Sequence, residues 1–157
     1  MTDGLVIAIV GAALAAILPG IGSAIGVQMG GRAATGVLSE KPELFGRLLI
    51  LQALPGTQGI YGFLTAVILA NRLGLLAGNA PELTTDQGLL FFSACLPIII
   101  VGFLSAIFQA KTAVSAIHMT AKQPKSSVSG MVMTAVVETY AILALLAGLL
   151  LIWNIPF

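Results

Sequence analysis

Val136-Val137-Glu138-Thr139-Tyr140 is the stretch on which the reading of this chain turns. Glu138 is the only Asp, Glu, Lys, Arg or His between Lys125 and Phe157, and its surroundings from Met131 to Leu151 are almost wholly apolar. A carboxyl group near the middle of a membrane span costs roughly 2.5–3.5 kcal/mol on insertion scales, and more if left unpaired. Such an acid either carries an ion or a proton, or is a structural acid neutralised by its own proton or by a neighbouring helix. The rest of the chain is therefore read for groups that could serve it.

Of the 157 residues, 58% are hydrophobic and 8% charged, with a mean hydropathy of +1.06. A membrane protein reads that way and a soluble domain of this size does not. Runs free of Asp, Glu, Lys and Arg cover 4–31, 48–71, 87–110 and, with Glu138 as sole exception, 126–157. Each is long enough to cross the hydrocarbon core, which needs about 20 residues of helix. The expectation is an all-α membrane protein with four transmembrane helices. It leaves no room for a nucleotide-binding or hydrolytic domain. A net charge of +1 without a basic patch gives no sign of a nucleic-acid partner. Cys95 stands alone in an apolar run and is read as packing. The first run lacks a positive start and is too long for the apolar part of a signal peptide, so it is read as a mature helix.

Turn residues divide the chain into two hairpins, 1–75 and 84–157. Helix 1 is expected over about 5–38 and helix 2 over about 44–72, joined by Ser39-Glu40-Lys41-Pro42-Glu43. After the loop 74–86, helix 3 is expected over about 87–121. The turn Lys122-Gln123-Pro124-Lys125-Ser126 leads to helix 4 over about 127–153, where Trp153 suits an interfacial anchor. The halves repeat at a constant offset of 82: Ser23-Ala24-Ile25 matches Ser105-Ala106-Ile107, Gly20 matches Gly102, Pro42 matches Pro124, and Thr57 matches Thr139. The repeat is parallel, and the acid is present in one half only, because Glu138 is matched by Gly56. Six of the seven basic residues lie at or near the two tight turns, and only Arg72 lies at the other end. The positive-inside rule then puts both turns in the cytoplasm and both termini outside.

Helix 1 carries Gly20, Gly22, Gly26, Gly30, Gly31 and Gly36. The spacing is wrong for a phosphate loop, and no Lys-Ser/Thr follows. Glycines four apart let helices approach closely in lipid, as on the inner wall of a ring. In helix 2, Leu54, Thr57, Gln58 and Tyr61 fall on one face, and Pro55-Gly56 loosens the turn so that a backbone carbonyl nearby can be free. Glu138 lies 14 residues after Pro124, Gln109 lies 15 before it, and Gln58 lies 16 after Pro42. At about 1.5 Å per residue, all three sit at nearly one height, roughly 20–25 Å from the turns. A carboxylate, two amides, a hydroxyl and a carbonyl are oxygen ligands for a hard cation. The plainer alternative is a polar cluster that hydrogen-bonds helices together. Lys111 is expected to snorkel toward the surface rather than join the site. His118 has no nucleophile or metal partner and reads as an interfacial residue.

These residues carry a resemblance over essentially the whole chain. It resembles the 16 kDa proteolipid, the rotor-ring c or K subunit of V-type ATPases. Leu-Pro-Gly-Thr-Gln-Gly-Ile-Tyr-Gly (54–62) and Val-Glu-Thr-Tyr-Ala-Ile-Leu (137–143) are similar to the bacterial sodium-pumping branch. The resemblance implies Na⁺ bound by the Leu54 carbonyl, Thr57, Gln58, Gln109 and Glu138, with Tyr61 donating to Glu138. It also implies a membrane ring of identical subunits, with helices 1 and 3 inside. A central-stalk subunit would dock on the turns, and a stator subunit would present an arginine to Glu138. ATP hydrolysis would lie on other subunits. Transport of H⁺ by the same rotor stays open at this point, as does a structural or channel-forming four-helix oligomer.

Overall fold

The computed structural model describes residues 2–157. Four helices account for nearly all of them: α1 (Asp3–Leu38), α2 (Pro42–Arg72), α3 (Thr85–Lys122) and α4 (Pro124–Asn154), each long and apolar enough to cross a membrane. α1 has 36 residues, roughly 54 Å at 1.5 Å each, so it exceeds the hydrocarbon core and must protrude. α3 starts at Thr85 rather than near 87, because Thr84 and Gln87 form a capping box. The Thr84 hydroxyl accepts the Gln87 N–H at 3.3 Å, and the Gln87 amide oxygen accepts the Thr84 N–H at 3.0 Å. Pro42 and Pro124 each open a short 3₁₀ turn, where a missing N–H does no harm.

α1 packs along both α2 and α3, while α4 packs on α3 and α2. α1 and α4 therefore occupy opposite corners of the bundle. Small residues permit this. A Cβ on Gly22 would lie 2.6 Å from the Phe103 carbonyl oxygen of α3. A Cβ on Gly62 of α2 would run into the Ala15 carbonyl oxygen of α1 and lie 2.9 Å from the Pro19 ring. Backbone meets backbone at these crossings, as close packing in lipid requires.

Two helices are irregular near mid-length. α2 tightens into a 3₁₀ turn at Leu54–Gly56. α3 widens into a π turn at Ile98–Gly102, directly after Pro97. The residue pattern gives no warning of this second irregularity beyond the proline itself. Prolines and π turns are the ordinary places where a helical ladder shifts.

Each end of the bundle is tied. At the tight turns, Lys41 donates to the Ala121 carbonyl at 2.6 Å and Arg47 to the Pro124 carbonyl at 2.8 Å, so the first hairpin caps the second. At the opposite end, Arg72 donates to the Ile155 carbonyl at 2.7 Å and lies 5.4 Å from the Trp153 ring and 5.1 Å from the Phe157 ring. Trp153 thus anchors the last turn partly through Arg72.

The Gly22 crossing gives a direct test. Gly22→Val should lower the melting temperature of the detergent-solubilised protein, since overpacking costs about 1–3 kcal/mol. Gly36→Ala, where a Cβ meets nothing within 4 Å, should not lower it and, by gaining helix propensity, should raise it slightly.

Candidate ion-binding site

Pro55 has no N–H to offer the helical ladder, and the chain responds by tightening. The Leu54 carbonyl accepts the Thr57 backbone N–H across the 3₁₀ turn. It also accepts the Thr57 hydroxyl at 3.0 Å. The Leu54 carbonyl is therefore not free, contrary to expectation: the tightened turn brings both the backbone N–H and the hydroxyl of Thr57 onto it. Regular helix resumes at Thr57, which places Thr57, Gln58 and Tyr61 on one face.

The amides of Gln58 and Gln109 are fully buried. Their orientation follows from one acceptor. The Thr134 backbone carbonyl can only accept, so the Gln109 amide nitrogen faces it, at 3.1 Å. The Gln109 oxygen then faces Gln58, whose nitrogen donates to it at 2.6 Å. The Gln58 oxygen is left turned toward the Thr57 hydroxyl, 3.4 Å away. Three neutral oxygens, from Leu54, Thr57 and Gln58, are gathered in this way beside the break in α2.

Glu138 enters from α4. The Tyr61 hydroxyl donates to its carboxylate, and Tyr61 itself lies one turn beyond Thr57 and Gln58. Glu138 is half-buried, while Val136 and Tyr140 on either side are exposed. The acid therefore sits at the margin of the bundle, held inward by a phenol. The bonds close a circuit: Gln58 to Gln109 joins α2 to α3, Gln109 to the Thr134 carbonyl joins α3 to α4, and Tyr61 to Glu138 joins α4 back to α2.

Lys111 takes no part. It is exposed, and its amine lies 5.5 Å from the Phe108 ring. His118 is exposed and Cys95 is buried among apolar side chains. Among the described residues, no three His, Cys, Asp or Glu side chains gather to hold a metal. A single carboxylate bonded to a phenol, with neutral oxygens in the same hydrogen-bond circuit, is a donor set for a hard cation of low charge rather than for a transition metal.

Two participants have little or no signature in the residue pattern. The Thr134 carbonyl is a backbone group and leaves no mark in residue types. Ser23 of α1 accepts the Gly59 N–H at 2.8 Å, one residue past Gln58. Its only sequence signal is a serine among glycines.

The profile of the ATP synthase C-subunit family matches residues 10–69 and again 92–151. The chain is 44% identical over 151 residues to the V-type sodium ATPase subunit K of Enterococcus hirae, covering 96% of this chain and 93% of that protein. It is 36% identical over 152 residues to the A-type ATP synthase subunit K of Methanocaldococcus jannaschii, covering 97% of this chain and 64% of that protein. It is 27% identical over 141 residues to a V-type proton ATPase 16 kDa proteolipid of Chrysotila carterae, covering 90% of this chain and 86% of that protein. With the profile fitting each hairpin in turn, the chain belongs to the ATP synthase C-subunit family, the membrane rotor proteolipids of rotary ATPases.

Proposed function

We propose that this rotor protein carries Na⁺, held by the Leu54 carbonyl, Thr57, Gln58, Gln109 and Glu138, with Tyr61 closing the site through its bond to Glu138. The protein is a multi-pass membrane subunit of a V-type ATPase, working in a ring of identical copies. ATP hydrolysis lies on other subunits. The observation that carries the sodium reading is the polar run from half-buried Thr57 through the fully buried amides of Gln58 and Gln109. A proton needs only Glu138. Buried amides are costly unless satisfied; these two satisfy each other, and their bonds leave the oxygens of Leu54, Thr57 and Gln58 clustered, a donor set that a hard cation would use. The name of the Enterococcus hirae relative agrees in specifying sodium.

The mechanism follows from charge. With Na⁺ bound, the Glu138 carboxylate is neutralised and the loaded protomer can turn past lipid. Without it, a bare carboxylate is strongly opposed from re-entering hydrocarbon. In this scheme a stator subunit offers an arginine and water where the ion leaves, and a central-stalk subunit docks on the two tight turns. Both turns face the cytoplasm and both termini lie outside, on the strength of the basic residues clustered at the turns.

Carbodiimide modification of Glu138 in membranes tests the ion. Na⁺ at near-neutral pH should protect the acid, and acidification should reverse the protection as protons compete. Absence of any protection would sink the sodium reading in favour of H⁺. Glu138→Gln should abolish Na⁺ transport by the assembled ATPase while rings still form; retained transport would point to a structural role. Tyr61→Phe removes one hydrogen bond to a charged group and should raise the Na⁺ concentration for half-protection by about tenfold or more.

A further inference from the structure

Both hairpins carry the same serine in their first helix, and only one of them uses it across helices. Ser23 of α1 is 7% exposed, and its hydroxyl oxygen accepts the backbone N–H of Gly59 in α2 at 2.8 Å. Its repeat partner Ser105 instead donates back to Gly102 within its own helix, at 3.3 Å. The hairpins differ at the position that faces Ser23. Position 59 is glycine, whereas its counterpart in the second hairpin is Ala141. A Cβ on Gly59 would lie 3.2 Å from both the Ser23 Cβ and its hydroxyl oxygen. Glycine is what allows the serine to reach a backbone N–H there.

The bond falls at a weak point. The 3₁₀ turn at Leu54–Gly56 interrupts α2, and helix resumes at Thr57 without a side-chain cap from Gly56. The first N–H groups of a resumed helix lack full partners. Gly59 is in that first turn, adjacent to Gln58. A hydroxyl from a neighbouring helix therefore takes the place of a local N-cap. It appears in the hairpin whose second helix supplies the carbonyl, the hydroxyl and one amide of the site, and not in the hairpin that supplies the acid.

We infer that Ser23 is a positioning residue for ion binding: by accepting the Gly59 N–H it pins the Thr57–Gln58 turn against α1 and sets the affinity of the site for Na⁺. This rests on the sodium reading above. Ser23 touches no ion in this scheme and acts through the backbone that presents Thr57 and Gln58.

The test uses assembled ATPase in membranes and carbodiimide labelling of Glu138, with Na⁺ as the probe. For Ser23→Ala, the Na⁺ concentration giving half-protection should rise about tenfold, the size of one buried N–H left unpaired. The pH profile of labelling without Na⁺ should stay where the unaltered chain puts it, because Glu138 and Tyr61 are untouched. The double variant Ser23→Ala/Gly59→Ala puts a methyl beside where the hydroxyl was, close also to the position-23 Cβ and the Gly20 Cα, without restoring the hydrogen bond, and should bind Na⁺ no more tightly than the single variant. A shift below about twofold for Ser23→Ala, well under a hydrogen bond's contribution, overturns the inference. So does recovery of Na⁺ protection, or of lost ring assembly, in the double variant, which would make packing the whole of the serine's role. If the unaltered chain shows no Na⁺ protection at all, the sodium reading itself has failed, and this inference with it.

Discussion

A carboxylate at mid-membrane depth must be neutralised and hydrogen-bonded, and the architecture of this protein follows from that demand. Glu138 lies in an apolar helix with exposed hydrophobic residues on either side. Its partner is the Tyr61 hydroxyl from a different helix. That partnership requires α2 and α4 to lie side by side at a fixed depth. The constraint then propagates. α2 must break so that Leu54, Thr57 and Gln58 turn their oxygens together, and α3 must deliver Gln109 to the same level.

Close approach of the helices is what makes such a circuit possible. Gln58 and Gln109 meet at 2.6 Å in a fully buried setting. Long side chains would hold the helices too far apart. The glycine-rich α1 removes that obstacle, because Gly22 lets it lie on the α3 backbone and Gly62 lets α2 lie on its own. α1 carries no proposed ligand. It is the surface against which the ligand-bearing helix is pressed, and Ser23 bonds that helix at Gly59, next to Gln58. The two similar hairpins are not equivalent: the first carries Leu54, Thr57, Gln58 and Tyr61, and the second carries Gln109 and Glu138.

Much of this is legible in residue order, for a definite reason. Helix rise varies little over these segments, short 3₁₀ turns included, so counting from Pro42 and Pro124 brings Gln58, Gln109 and Glu138 to nearly one height. The 3.6-residue period puts Thr57, Gln58 and Tyr61 on one face. Rotation about each helix axis relative to its neighbours is a different matter. It depends on which small residues touch, and that is a property of pairs of helices. The π turn at Ile98–Gly102 shows the limit, because a run of Ile and Val after Pro97 is compatible with an unbroken helix as well.

By itself, the sequence determined four membrane-spanning helices, their parallel duplication, the single acid and the shared level of Gln58 and Gln109. These are one-dimensional properties, set by composition, period and rise per residue. Only the tertiary structure decided which way each amide faces. That orientation descends from the Thr134 carbonyl through Gln109 to Gln58, and a backbone acceptor has no signature in residue types. The tertiary structure likewise decided that Ser23 and not Ser105 reaches across to another helix. Both serines open the same Ser-Ala-Ile triplet, and the residue that faces Ser23 is a glycine, whose repeat counterpart is Ala141.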